Sequence, residues 1–316
     1  MSAWLRLLRP GDWTKNAFVL VPAVFWLSGQ GRGLPSEEAW VKVLPIGWAF
    51  LAFCLAASGS YCVNDALDAQ KDRRHPVKRR RPVASGQIPV ASAVFVGFAL
   101  EALGGSIAFL KAGSLAGCCV AAYLALQLAY NLRLKRMPLV DVTVLATGFC
   151  LRSAGGAAAI GVQMSVWLLL CVFFLTLFLG FTKRLCDLSA AENARAAGEV
   201  VEWNARPGYE TREQMNWLLG VSGALVVLLY LMYALSPHAE RLYGARAMGL
   251  ALLTPLVLIA IHRFYRRANL GLSDAPLETL RSDRTLLATM GAFGAGTLLV
   301  LYWPPLENVL KGLLLR

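Results

Sequence analysis

The sequence has little charge, and it has no long polar segment. Charged residues make up 16% of its 316 residues, whereas a soluble domain usually carries about 25%. Hydrophobic residues make up 57%, and the mean hydropathy is +0.54. This composition excludes a disordered chain and argues against an ordinary soluble enzyme. The longest polar stretch, residues 183–214, is too short to form a soluble domain.

The sequence also lacks any Cys-x-x-Cys motif and contains only three histidines. No second histidine stands at metal-ligand spacing, which argues against a zinc site. Its cysteines are odd in number and lie in or beside apolar segments, so we expect reduced packing residues rather than disulfides or a redox centre. The seven cysteines are at positions 54, 62, 118, 119, 150, 171 and 186.

Nine apolar segments are present, each close to the ~20 residues that a helix needs to cross a ~30 Å hydrocarbon core. They predict an all-α polytopic membrane protein with nine transmembrane helices, in which residues 1–316 form one integral-membrane domain. The first segment has no small-residue cleavage site, so we expect a retained helix rather than a signal peptide. The segments centre near residues 17–30, 40–62, 88–110, 113–130, 138–161, 164–182, 215–235, 246–262 and 285–303.

The basic residues indicate how these helices are oriented. If the N-terminus is cytoplasmic, the cytoplasmic segments hold 23 of the 31 Lys and Arg residues and the outer segments hold six. This distribution satisfies the positive-inside rule, and it accounts for the net charge of +12 without a nucleic-acid partner. Most acidic residues gather at the same ends. We therefore expect a multi-pass protein of the inner (plasma) membrane with its polar chemistry facing the cytoplasm.

The strongest chemical signal, Asn64-Asp65-x-x-Asp68-x-x-x-Asp72, follows the second apolar segment. If the helix continues, Asn64, Asp68 and Asp72 share one face and Asp65 lies beside Asp68. Clustered carboxylates persist only if cations neutralise them. Their oxygen atoms suit Mg²⁺, which binds through one or two carboxylates and substrate phosphates. The alternative is a solvated helix end paired with neighbouring Arg and Lys.

A basic segment, residues 73–82, follows this acidic helix end directly. Lys and Arg beside a metal site are what a polyanionic ligand requires. Pro76 and Pro82 stop the helix, so the segment can fold back over the acidic residues. The alternative is that the basic residues serve only membrane topology and attraction to lipid headgroups. Asp141 and Arg152 lie in apolar sequence, where they either face a polar cavity or form a structural ion pair.

Three longer motifs resemble those of the UbiA-type membrane prenyltransferase superfamily, and the resemblance covers essentially the whole chain. The closest likeness is to its phosphoribosyltransferase branch, which acts on decaprenyl phosphate. Where aromatic prenyltransferases carry a second Asp-x-x-x-Asp motif, this chain has Lys183-Arg184-Leu185-Cys186-Asp187, which resembles that branch. The other matching segments are Arg9-Pro10-x-x-Trp13-x-Lys15-Asn16, Asn64 through Pro82, and Leu134-Lys135-x-x-Pro138-x-x-Asp141 with Arg152 downstream.

The resemblance implies a UbiA-like helical bundle that transfers 5-phosphoribosyl from 5-phosphoribosyl-1-pyrophosphate to a polyprenyl phosphate of the decaprenyl type. It implies catalytic roles for Asn64, Asp65, Asp68 and Asp72, with Mg²⁺ bound by Asn64 and Asp68. It puts a second, symmetrical metal site in doubt, because Lys183 replaces a carboxylate. The residues implied in binding phosphates and ribose are Lys15, Asn16, Arg73, Lys78, Arg79, Arg81, Tyr130, Lys135, Asp141, Arg152, Lys183, Arg184 and Asp187.

Two other functions stay open at this point. One is a prenyltransferase that moves an isoprenoid from its pyrophosphate to an aromatic acceptor. The other is a non-enzymatic transporter, since charges inside membranes also mark ion pathways. Against transport, the charges gather at one face and the hydropathy shows no inverted repeat. The sequence is compatible with a homo-oligomer.

The charge distribution generates a first prediction. We expect single cysteines introduced into residues 64–88 and 183–214 of a cysteine-free variant to react only with reagents that reach the cytoplasm, because both loops are rich in Lys and Arg. Accessibility labelling in intact cells and in opened membranes measures this. Labelling of either loop from outside intact cells would contradict the orientation.

Overall fold

The computed structural model describes residues 2–29, 36–74, 78–196, 198, 208–272 and 276–314. Over these residues the chain is helical and contains no β-strand, which confirms the predicted all-α class. The α-helices are α1 (Ala3–Leu8), α2 (Val21–Ser28), α3 (Ser36–Leu67), α4 (Ala69–Arg73), α5 (Val90–Ile107), α6 (Ser114–Leu132), α7 (Val140–Ala159), α8 (Val166–Ala196), α9 (Arg212–Ala234), α10 (Pro237–Tyr243), α11 (Ala247–Leu252), α12 (Thr254–Asn269), α13 (Pro276–Ser282), α14 (Arg284–Tyr302) and α15 (Leu306–Leu314). Short 3₁₀ helices cover Pro10–Val19, Lys78–Arg80, Leu134–Arg136 and Gly244–Arg246, and Ala108–Ala112 is a π-helical turn.

Seven helices of the described chain are long and apolar enough to span a membrane, and a pair bent by 46°, Pro237–Leu252 with Thr254–Asn269, would be an eighth. The chain is thus a multi-pass membrane protein, with seven or eight candidate spans in the described residues where nine were expected. The first apolar segment accounts for one span of this difference. It is divided between the 3₁₀ helix Pro10–Val19 and the eight-residue α2, and neither alone has the ~20 residues of an α-helical span.

The chain divides into two compact units. The first comprises residues 1–26, 33–135 and 147–164, and the second comprises residues 27–32, 136–146 and 165–316. All seven cysteines are free; Cys54, Cys62 and Cys186 are buried, and Cys118 is exposed.

In the first unit, α3 packs closely along α5 because small residues line the contact. A Cβ atom added to Gly59 would lie 2.6 Å from the carbonyl oxygen of Gly97, and one added to Gly104 would lie 2.7 Å from that of Ala52. Such small-residue contacts are typical of membrane helices. The 32 residues of α3 extend over about 48 Å, more than a ~30 Å hydrocarbon core requires. The last turns of α3 can therefore carry polar residues beyond the core.

The run of small residues at 153–161 is also a packing element. A Cβ atom added to Gly155 would lie 2.7 Å from the ring of Phe53, and one added to Gly156 would collide with the carbonyl group of Val19. The end of α7 thus lies directly against α3 and against the 3₁₀ helix near the N-terminus.

In the second unit, α8 packs along α9 around a buried apolar core. Phe178 and Leu185 of α8 and Met215 of α9 belong to this core. The helix α8 continues to Ala196, so the Lys183–Asp187 motif lies inside it and not at its end.

Candidate active site

The end of α3 holds a buried carboxylate that two arginines neutralise. Asp65 accepts hydrogen bonds from Arg9 Nη2 at 2.8 and 3.0 Å and from Arg81 Nη1 at 3.1 Å. The same Arg81 nitrogen lies 2.8 Å from Asp72 Oδ2. The side chains of Asp65 and Asp72 are only 1% and 6% exposed, so each needs such a partner to remain charged. Arg81 therefore joins the segment that follows α4 to one carboxylate on α3 and to another on α4.

The helix does not continue smoothly through the acidic motif, and this changes which residues share a face. The helix α3 ends at Leu67 and α4 begins at Ala69, with Asp68 between them. Asp72 was expected beside Asn64 and Asp68. In the structure it shares Arg81 with Asp65, which lies seven residues, or two helical turns, before it.

Asn64 and Asp68 converge on a different cation, the ammonium group of Lys135. Lys135 Nζ lies 3.2 Å from Asn64 Oδ1 and 2.8 and 2.7 Å from the two oxygens of Asp68. Three oxygen atoms thus surround one cationic position. Amide and carboxylate oxygens are ligands that Mg²⁺ accepts when substrate phosphates complete its shell. The pair Asn64 and Asp68 therefore fits the predicted metal-binding role. No group of three or more His, Cys, Asp or Glu converges as a metal site within the described residues.

The basic segment presents exposed cations next to this cluster. Lys78, Arg79 and Arg80 form a short 3₁₀ turn and are exposed, whereas the next residue, Arg81, is engaged with the carboxylates. Arg73 is also exposed, and its Nε donates to the carbonyl oxygen of Ala84 at 3.2 Å. The motif residues 75–77 lie outside the described residues.

Arg152 is buried and hydrogen-bonded to neutral groups of the first unit. Its Nε donates to Asn16 Oδ1 at 2.6 Å, and its terminal nitrogens donate to the carbonyl oxygen of Gly148 and the hydroxyl of Tyr123, both at 3.0 Å. Its guanidinium carbon also lies 4.5 Å from the centre of the Tyr123 ring. Lys15 is exposed and pairs with Asp12 at 2.7 Å. Asn16 is therefore a positioning partner of Arg152, whereas Lys15 is exposed beside Asp12.

In the second unit, Asp141 forms an ion pair with Arg184. The alternative expectation, an ion pair between Asp141 and Arg152, is therefore wrong. Asp141 Oδ2 lies 2.9 Å from Arg184 Nη2, and Asp187 Oδ2 lies 3.3 Å from Arg184 Nη1. Tyr209 donates to Asp141 Oδ1 at 2.5 Å. Burial and the bond to Asp141 raise the pKa of the Tyr209 hydroxyl, so this group stays protonated at neutral pH.

Two further predicted residues lie on α8 and α6. Lys183 is exposed on α8, and its side chain has no ion-pair partner among the described residues. Tyr130 is half-buried in the last turn of α6.

Three residues of these clusters were not among the predicted site residues. Arg9 belongs to the Arg-Pro-x-x-Trp opening, so the motif itself carried a signal for it. Tyr123 lies in an apolar helix and Tyr209 in a polar loop, and neither belongs to a recognisable motif. Only the tertiary contacts of Arg152 and Asp141 identify these two tyrosines.

The sequence matches the UbiA prenyltransferase family over residues 19–275. It is similar to a decaprenyl-phosphate phosphoribosyltransferase of Mycobacterium tuberculosis, with 33% identity over 298 residues, 91% of this chain and 93% of that protein. It is also similar to the decaprenyl-phosphate phosphoribosyltransferase of Corynebacterium glutamicum, with 32% identity over 285 residues, 89% of this chain and 81% of that protein.

The fold is similar to those of solved UbiA homologues. The structure from Archaeoglobus fulgidus bound to GPP and Mg²⁺ aligns with a TM-score of 0.63 and 20% identity, over 99% of this chain and all of that one. The apo structure from Aeropyrum pernix aligns with a TM-score of 0.61 and 17% identity, over 95% and 98% of the two chains. At these identities the comparison establishes the helical architecture.

The bridging position of Arg81 generates a prediction about stability. Arg81→Ala leaves the buried carboxylate of Asp72 without its partner, which for fully buried pairs costs about 3–5 kcal/mol. Because the Arg81 side chain is 27% exposed, we expect about 2 kcal/mol, measured by denaturant unfolding in detergent. The exposed neighbour change Arg80→Ala is the control. Adding Asp72→Asn to Arg81→Ala should recover part of the loss. Equal effects of the two arginine substitutions would contradict the bridging role.

Proposed function

The chain belongs to the UbiA prenyltransferase family, and we propose that it transfers the 5-phosphoribosyl group of 5-phosphoribosyl-1-pyrophosphate to a polyprenyl phosphate and releases pyrophosphate. Similarity to decaprenyl-phosphate phosphoribosyltransferases over about nine-tenths of the chain supports this reaction. The observation in the site that carries it is the Lys183–Arg184 pair on α8. Two cations there suit a donor that carries a 5-phosphate as well as a pyrophosphate.

In this reaction a phosphate oxygen of the lipid attacks C1 of the ribose. The bond between C1 and the pyrophosphate oxygen breaks, and its electron pair leaves with pyrophosphate. A phosphate monoester is already ionised near neutral pH, so no strong general base is needed. Catalysis then depends on holding the two anionic substrates and on neutralising the charge that grows on the leaving group.

The residues of the first unit suit the binding of a metal–pyrophosphate group. Asn64 and Asp68 would hold Mg²⁺, and Asp65 and Asp72 would support the acidic helix end through Arg81. When bound, the metal supplies charge neutralisation for pyrophosphate. Lys135 and the exposed Lys and Arg side chains of residues 73–80 would bind phosphate oxygens. Of these, Arg79 and Arg73 are exposed on the described surface.

In the second unit, Lys183 and Arg184 would bind phosphate, with Asp141 and Asp187 orienting Arg184. In the first unit, Arg152, Asn16, Tyr130 and Lys15 would contribute to the ribose and lipid phosphate region. The family match runs through both units, which supports a single transferase domain. We place the protein in the inner membrane with these residues on the cytoplasmic side, where a water-soluble sugar donor is available.

The second candidate function is transfer of an isoprenoid from its pyrophosphate to an aromatic acceptor, and a UbiA homologue bound to GPP and Mg²⁺ has the same fold. That donor carries pyrophosphate alone and has no 5-phosphate. Purified protein supplied with each donor and acceptor pair, with pyrophosphate release as the readout, distinguishes the two reactions.

Removing the Asp68 carboxylate tests the metal-binding role. We expect Asp68→Ala to abolish turnover with at least roughly a 10³-fold loss in rate, because a pyrophosphate leaving group loses several kcal/mol of stabilisation. Pyrophosphate release at varied Mg²⁺ measures it. The matched control is Glu307→Ala, which removes a carboxylate paired with Lys311 at 2.9 Å in α15. Near-normal activity of Asp68→Ala would show that the acidic helix end is structural.

Substitution of Lys183 tests the identity of the donor. Lys183→Asp places an anion where a phosphoribosyl donor has phosphate, so we expect it to weaken binding of that donor by at least roughly ten-fold, and more than Lys183→Ala does. Isothermal titration with 5-phosphoribosyl-1-pyrophosphate and Mg²⁺ measures this, with the exposed Lys111→Asp as control. If Lys183→Asp binds the donor as well as the parent, or the parent prefers a prenyl pyrophosphate, the aromatic prenyltransferase reaction replaces our proposal.

A further inference from the structure

The turn before α7 contains a backbone conformation that residues other than glycine rarely adopt. Leu139 has φ of +65°, one of two non-glycine residues with positive φ among the described residues. Its backbone N–H donates to the hydroxyl oxygen of Tyr209 at 2.8 Å. A contact from the segment before α9 thus holds an unfavourable turn in place, 70 residues earlier in the sequence.

The same hydroxyl also determines where the Asp141 carboxylate lies. Tyr209 donates to Asp141 Oδ1 at 2.5 Å, which leaves Oδ2 for Arg184 Nε at 3.1 Å and Nη2 at 2.9 Å. Tyr209 and Asp141 are each 1% exposed, and Arg184 is 6% exposed. In a buried network each member has few alternative partners, so loss of one contact displaces the others.

The Tyr209 ring is itself fixed by packing. It lies edge-to-face against Phe181, with ring centres 6.4 Å apart. The preceding Gly208 has φ of +87°, and a Cβ atom there would collide with Pro138. The Gly208–Tyr209 pair therefore packs on the Pro138–Leu139 turn, and replacing only the hydroxyl should leave this packing intact.

We propose that Tyr209 is a positioning residue for the pyrophosphate-bearing donor. Its hydroxyl fixes the turn at Leu139 and the carboxylate of Asp141, and Asp141 in turn orients the Arg184 guanidinium toward phosphate. Contacts to Asp141 and Asp187 use three of the five N–H groups of Arg184, which leaves one on each terminal nitrogen for an anion. This inference rests on the proposed function, because Arg184 is a phosphate-binding residue only there.

The test compares two variants that each remove one hydrogen-bonded tyrosine hydroxyl. Tyr209→Phe removes the positioning hydroxyl. Tyr230→Phe, the control, removes one that donates to the carbonyl oxygen of Leu250 at 2.7 Å. We expect Tyr209→Phe to raise KM for 5-phosphoribosyl-1-pyrophosphate roughly ten-fold and to leave KM for polyprenyl phosphate within about two-fold. Tyr230→Phe should change neither KM, and both variants should unfold at similar denaturant concentrations.

A double-mutant cycle distinguishes positioning from a purely structural role. In an Arg184→Ala background, Tyr209→Phe should raise the donor KM no further, because its effect passes through Arg184. If the two substitutions raised the donor KM by independent factors that multiply, the proposal would be overturned. Equal rises of the donor KM and the polyprenyl phosphate KM in Tyr209→Phe would overturn it too.

Titrations with inorganic pyrophosphate and with inorganic phosphate, each with Mg²⁺, keep this test separate from the proposed function. A parent enzyme that does not use the phosphoribosyl donor contradicts the function. The Kd values of the same variants for these two anions still report the coupling between Tyr209 and Arg184 in that case. Unchanged Kd values for both anions in Tyr209→Phe would overturn the positioning role.

Discussion

Neutralisation of carboxylates at the ends of apolar helices is the constraint on which the rest of this structure depends. A charged group that leaves water loses hydration energy that only a well-placed partner restores. Asp65 and Asp72 share Arg81, and Asp141 pairs with Arg184. The planar guanidinium can contact two carboxylates at once, which a lysine ammonium does less well. These arginines set the positions of the acidic residues before any ligand binds.

The cations of the protein divide into two groups by what they contact. Arg81 and Arg184 are engaged with carboxylates, and Arg152 with neutral acceptors, so all three define the shape of the polar clusters. Arg79 and Lys183 are exposed, and nothing in the described chain forms an ion pair with either of them. In each unit, polar clusters of fixed geometry thus occur together with exposed positive charge that a polyanion can contact.

The helices could be predicted because apolar length and charge asymmetry are local properties of the sequence. The breaks between helices could not be predicted in this way, because hydropathy near residue 20 does not show that a 3₁₀ helix ends there and that α2 begins. The acidic motif begins in the last turn of α3, as expected, whereas the Lys183–Asp187 motif lies inside α8. The partners of these residues were only partly foreseen. Asp65 meets Arg9 across 56 residues and Asp141 meets Tyr209 across 68. No pattern of spacing encodes such pairs, because they depend on how whole helices pack.

The contact between Arg81 and Asp65 closes the intervening chain into a ring. Once the two ends of a loop are fixed, the entropy of closing it grows only slowly with length, by about 0.6 kcal/mol for each doubling. Asp65 stands in α3 and Arg81 follows the 3₁₀ turn Lys78–Arg80, so the ring is fixed at both ends by ordered structure. Loss of either residue therefore releases the whole segment between them and not one contact alone.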